Sequence, residues 1–151
     1  MTKRNLVLVD LDGTISDETW RNDLARDKRW EDYHECLADD PPFVDTIRLV
    51  RALFDTQDDV RLIGVTARPE KWRQRTAEWL IAQDVPLDLV LMRPNSDLRP
   101  AGEVKIDLLV AEFGEDWADQ VWFAMDDNQH VVKALENKNV TVFAVSARSG
   151  E

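Results

Sequence analysis

Leu6-Val7-Leu8-Val9-Asp10-Leu11-Asp12-Gly13-Thr14 runs four branched apolar residues into two carboxylates, then a glycine and a threonine. A continuous Val/Leu run closed by a turn signal reads as a strand buried on both faces, as in a parallel sheet. Open α/β sheets bind ligands outside the carboxyl ends of their strands. Asp10 and Asp12 are therefore expected at the mouth of a crevice, with Gly13 letting the chain turn away at once. Two neighbouring carboxylates at such a place suit a hard cation, most naturally magnesium, and a phosphate.

The chain around this stretch repeats the same grammar. Val60 to Val65 reads as a second buried strand, ending in Thr66-Ala67-Arg68-Pro69-Glu70. Pro69 is expected in the first turn of the next helix, where its missing N–H costs nothing. Leu87 to Met92 is a third strand running into Arg93, and residues 117–125 lead through a fourth into Asp126-Asp127. Asn128 is placed to cap a helix that buries Val131, Val132 and Leu135. Val140 to Val145 is the last strand. Helical spacing marks residues 43–54 and the segment carrying Val104, Leu108, Leu109 and Phe113. The alternation predicts an α/β fold with a doubly wound, mainly parallel five-stranded sheet. Residues 1–151 are read as one domain, with a short polar, aromatic-bearing insert at about 15–42.

Composition narrows the function. The net charge of −11 argues against broad binding of duplex nucleic acid, which needs a basic face. The charge is uneven: residues 61–105 carry eight Lys/Arg and six Asp/Glu, the others eleven and twenty-four. An anion site is thus expected to be local and in the middle third. No apolar run approaches the ~20 residues that span a bilayer. The amino-terminal residues lack a signal-peptide pattern, and one cysteine, Cys36, allows no internal disulfide. These features point to a cytoplasmic protein.

Polar residues at the carboxyl ends of the strands share one rim, however far apart in sequence. They are Asp10 and Asp12, Thr66 and Arg68, Arg93, and Asp126 and Asp127, with Lys105 just beyond the rim loop. Carboxylates, a hydroxyl and cations in one crevice suit phosphoryl transfer. In order and spacing the set resembles the four motifs of the haloacid dehalogenase superfamily, from about Leu6 to Val145. Val65-Thr-Ala-Arg-Pro-Glu70, Val104-Lys105, Met125-Asp-Asp127 and the segment Trp30 to Pro41 resemble the phosphatase domain of phage-type polynucleotide kinase-phosphatases.

The resemblance implies a Rossmann-like fold with a minimal cap, and roles residue by residue. Asp10 would attack phosphorus to form an aspartyl-phosphate. Asp12 would protonate the leaving alkoxide and then deprotonate the hydrolytic water. Thr66, aided by the following helix N-terminus, would bind phosphate, with Gly13, Thr14, Ala67, Arg68 and Arg93 around it. Ala67 stands where the family often has glycine. Lys105 would bridge nucleophile and phosphate. Asp10, Asp126 and the backbone carbonyl of Asp12 would hold Mg2+, supported by Asp127. No GxxxxGK[ST] phosphate loop occurs, so no kinase half is expected within these residues.

The insert is too short for a separate cap domain, and an open site favours a phosphate on a large substrate. The implied activity is removal of 3′-phosphates from polynucleotide ends. A nucleoside monophosphatase is the near rival. A receiver-type signalling module would place its acceptor aspartate at the end of the third strand, where Arg93 stands instead. A degenerate binding module is the remaining alternative. Trp20 or Trp30, beside the expected mouth, could stack on a base.

Overall fold

The computed structural model describes residues 3–148. Strand β1 (Leu6–Val9) lies at the centre, parallel to β2 (Arg61–Pro69) on one side and β4 (Val121–Asp126) on the other. Leu8 stands opposite Ile63 in β2 and Ala124 in β4. Beyond these, β3 (Leu89–Arg93) pairs with β2 and β5 (Val142–Ala144) with β4, also parallel, giving the order β3-β2-β1-β4-β5.

All four residues of β1 are buried, as the unbroken Val/Leu run predicts. The pleat sends Leu6 and Leu8 to one face and Val7 and Val9 to the other. On the first face they join Ile63, Leu109, Val131 and Leu135, beneath α5 (Ala101–Phe113) and α6 (Gln129–Glu136). On the second they join Ile47, Val50, Trp79 and Leu80, beneath α3 (Val44–Thr56) and α4 (Arg73–Ala82). Each such side chain contributes roughly 1.5–3 kcal/mol by leaving water. With both faces covered, the sheet is the doubly wound one expected.

From β1 the chain steps outward to β2 and β3, then crosses back to place β4 on the opposite flank of β1. The strand order therefore reverses between β1 and β4, the point at which open sheets leave a crevice. Asp10 follows one of these strands directly and Asp126 ends the other.

Local differences from the sequence expectation have physical causes. Strand β2 does not stop at Val65 but runs on to Pro69, after a register shift between Thr66 and Pro69. Pro69 is extended (φ −62°, ψ 147°) and is the last strand residue, not a first-turn helix residue. Lacking an N–H, it is tolerated at an irregular strand end. A 3-10 turn, Glu70–Trp72, separates it from α4, so no helix N-terminus follows Thr66 directly. Residues Trp117–Gln120 likewise form a 3-10 turn ahead of β4. Asn128 does cap α6, accepting hydrogen bonds from the backbone N–H groups of His130 and Val131.

The connection after β1 contains α1 (Asn22–Arg26) and α2 (Trp30–Glu35), with 3-10 turns at Thr19–Arg21 and Leu37–Asp39. Its ends are stitched together, Asp17 N–H donating to the Pro41 carbonyl and Phe43 N–H to that of Ile15, both at 2.8 Å. The connection leaves and re-enters at one point, beside Asp12. Among the described residues no helix is long and apolar enough to cross a membrane.

Candidate active site

Asp10 is buried at the switch point with both carboxylate oxygens engaged. Thr14 Oγ1 donates to one at 2.9 Å and Lys105 Nζ to the other at 2.8 Å. Lys105 also donates to Asp126 at 2.7 Å, so one buried ammonium bridges the ends of β1 and β4. Burial alone would lower the lysine pKa. The charges of Asp10 and Asp126 outweigh it and hold the group protonated, well above its usual range. Asp126 is fixed further by the backbone N–H of Asn128, 2.9 Å from its second oxygen.

Asp127 completes the acidic group. Ligand atoms of Asp10, Asp126 and Asp127 all lie within 4.8 Å of one another. Burial, then the negative charge of Asp10 and a hydrogen bond shared with it, pushes the Asp127 carboxyl up to about 9. Burial and Asp10 push Asp126 up to about 6, against the pull of Lys105. One ammonium does not neutralise three crowded carboxylates. An all-oxygen donor set with this unmet charge fits a hard divalent cation.

Gly13 makes the crowding possible. Its φ is +83°, and a Cβ there would lie 1.9 Å from Asp127 Oδ2. Its role is thus doubled: a left-handed turn and room for a carboxylate.

Asp12 faces differently. Arg21 Nη2 and Arg68 Nη2 donate to its Oδ1 at 2.9 and 2.8 Å, and Arg68 Nε lies 3.1 Å from Oδ2. Burial pushes this carboxyl up, but the two guanidinium groups, Arg68 foremost, prevail and hold it well below the usual carboxylate range. The Asp12 side chain is thus turned to the arginines, and the carboxylates grouped within reach of one cation are those of Asp10, Asp126 and Asp127. Both arginines are almost fully buried and are held in turn. Arg21 pairs with Asp40, and Arg68 Nη1 donates to Thr76 Oγ1 at 3.1 Å.

The remaining rim residues are placed as follows. Thr66 is buried, its Oγ1 accepting from the Arg68 N–H at 3.1 Å. Ala67, Arg68 and Arg93 line a crevice of about 560 Å³ together with Asp10, Asp12 and Lys105. Arg93 spends its guanidinium on backbone, donating to the carbonyls of Ala67, Asp97 and Arg99, so it shapes the loop after β3. Trp30 lies on the crevice wall, whereas Trp20 donates its Nε1 to Asp40.

Sequence reasoning did not single out Arg21, Asp40 or Glu18. The first two lie in the connection after β1, on either side of its short helix α2. Glu18 lines the crevice, and burial, with the charges of Asp12 and Asp10, pushes it up to about 7. His34 also reaches the crevice, where burial lowers it to about 4 and keeps it neutral.

Comparison with known proteins accords with this geometry. The family model of the polynucleotide kinase PNKP phosphatase domain matches residues 4–149. A chain in the structure of a Pnkp1/Rnl/Hen1 complex is similar at a TM-score of 0.80 and 22% identity, over 96% of this chain and 47% of that one. A chain of the Pnkp1/Rnl/Hen1 RNA repair complex gives 0.78 and 23%, over 93% and 42%. The sequence therefore spans less than half the length of those two chains. The HAD domain of effector protein Lem4 from Legionella pneumophila shares the fold at a TM-score of 0.56 and 14% identity, over 99% and 89%. No curated protein matches the sequence.

Proposed function

Because the chain belongs to the family of the polynucleotide kinase PNKP phosphatase domain, we propose that it is a magnesium-dependent phosphomonoesterase removing 3′-phosphates from polynucleotide ends. The observation that carries this reading is the Asp10 carboxylate, fixed by Thr14 and Lys105 at the switch point and facing an open crevice. A nucleophile held on both oxygens is pre-aligned, and alignment is a large part of phosphoryl-transfer catalysis.

In the first half-reaction an Asp10 oxygen bonds to phosphorus as the bond from phosphorus to the leaving oxygen breaks. The leaving alkoxide takes a proton from Asp12. In the second, Asp12 accepts a proton from water as the water oxygen displaces Asp10 from phosphorus. Asp12 is ready for the second role, since Arg21 and Arg68 keep it ionised. A dianionic phosphate beside it opposes the arginines and favours the protonated form that the first role needs. Lys105 stabilises the charge gathered between Asp10 and Asp126. Asp10, Asp126, Asp127 and the Asp12 carbonyl are the groups to hold Mg2+, which would supply further neutralisation of the transferring phosphoryl group.

A relative's place in an RNA repair complex supports a nucleic-acid end as the substrate. Soluble action on such ends, within a single domain with its short insert at 15–42, completes the reading. The test is phosphate release from 3′-phosphorylated DNA and RNA oligonucleotides against a panel of nucleoside monophosphates, with Mg2+ and with chelator. Chelator-sensitive release from the oligonucleotides is expected. Release from the monophosphates alone would replace the reading with a nucleotidase.

A further inference from the structure

Helix α2 sets a ladder of rings into the crevice wall. Trp30 and His34, four residues apart, lie with ring planes 25° apart and centroids 6.3 Å apart. Trp72 continues the ladder behind His34, at 34° and 6.2 Å. Tyr33 meets both Trp30 and His34 edge-on, which locks the arrangement.

Packing does not account for this wall. Trp30 is 52% exposed although its neighbours in the ladder are largely covered. His34 is only 8% exposed, yet its Nδ1 has no hydrogen-bond partner among the described residues. That nitrogen is itself closed to solvent, so His34 serves the wall as the ring that backs Trp30. Leu98, which also lines the crevice, is 91% exposed, an apolar side chain held out by the loop that Arg93 braces.

Charge does not explain the wall either. Arg93 is committed to backbone carbonyls and Arg99 to Asp97 and Asp107, and the chain as a whole carries −11. A strand end approaching this protein gains little from backbone phosphates away from the reacting one. It gains from flat apolar contact, which base–aromatic stacking supplies regardless of charge. A crevice of about 560 Å³ falls in the range that encloses one small ligand, and part of it belongs to the phosphate. It has room for one nucleoside beside the phosphate.

Resting on the 3′-phosphatase reading, we infer that Trp30 and His34 form a subsite for the nucleoside of the 3′-terminal nucleotide. Trp30 supplies the stacking face for its base, His34 backs that ring from within the wall, and Leu98 adds apolar surface to the same crevice. Recognition is of the terminal nucleotide's base rather than of an extended strand.

The experiment compares two 3′-phosphorylated oligonucleotides that differ only in whether the terminal nucleotide carries a base. In the unaltered protein the base-bearing substrate is expected to have a kcat/KM roughly 10- to 100-fold higher. Trp30→Ala should collapse that ratio towards one, and Trp30→Phe should restore part of it. His34→Ala removes the ring that backs Trp30 and should lower the ratio several-fold through KM, whereas His34→Phe keeps a ring in the ladder and should retain most of it. Circular dichroism checks that each variant is folded. Equal rates on the two substrates in the unaltered protein, or a Trp30→Ala loss that is the same on both, overturns the subsite while leaving the phosphatase reading in place. Turnover of small phosphomonoesters with none of either oligonucleotide overturns the 3′-phosphatase reading and the subsite with it.

Discussion

Arg21 and Asp40, nineteen residues apart in the connection after β1, meet as a buried ion pair: Nε and Nη2 of the arginine lie 2.7 and 2.6 Å from the two carboxylate oxygens. The same Nη2 reaches Asp12 at 2.9 Å. Asp40 is held elsewhere too, by Ser16 Oγ and by Trp20 Nε1. The connection is therefore fastened to the catalytic rim through one acid that does no chemistry itself.

Asp40→Ala should strip Arg21 of its main partner and leave its buried guanidinium on the Asp12 carboxylate that it shares with Arg68, a loss of up to about 3–5 kcal/mol. It should also free Arg21 to pull Asp12 off position, lowering kcat more than it raises KM. Urea denaturation and steady-state kinetics read the two effects. A variant within about 1 kcal/mol of the parent would mean that the pair does not anchor the connection.

Asp10→Asn should reduce phosphate release to background, because an amide cannot form the acyl-phosphate. Lys105 keeps its contact with Asp126, so the fold should survive. Retained turnover in a variant shown by mass spectrometry to be free of deamidation would refute the nucleophile assignment.

Gly13→Ala should be damaging beyond its size. The left-handed φ costs an alanine roughly 1–2 kcal/mol, and the new methyl collides with Asp127. Displacing Asp127 should weaken divalent-cation binding by about 10- to 100-fold. Isothermal titration with Mg2+ or Mn2+ gives the value, and unchanged affinity would show that Asp127 does not support the cation.

The pH dependence of stability follows from Asp126 and Asp127. Their folded carboxyls, at about 6 and about 9, lie above the value near 4 that an unfolded aspartate has. Between those limits the folded state binds more protons than the unfolded one, so these groups make stability fall as pH rises from about 4 to 9. A cation on the carboxylates should remove the slope. With chelator present, Tm should therefore fall across this window, and the rise in Tm given by Mg2+ should be larger at pH 8 than at pH 5. A Mg2+ effect that is equal at both values would contradict the assigned cluster.

The order of elements and the rim were legible because both rest on local pattern. Leu6 to Val9 could be nothing but a doubly covered strand, and polar residues at successive strand ends fall on one edge whatever their separation. Asp10 and Asp126 are brought together by that rule, whereas Lys105, in α5, is singled out by the family resemblance and meets them from 95 and 21 residues away along the chain. The pairing of Asp12 with Arg21 and Arg68, the anchoring of Arg21 on Asp40, and the ladder of Trp30 and His34 are of another kind. They lie in or against a connection whose one short helical stretch, Trp30–Glu35, does not fix how its 28 residues fold back on the sheet. Sequence alone thus determined where the carboxylates stand. Only the tertiary structure decided their charges, because a carboxylate's proton affinity is set by burial and by cations that reach it through space.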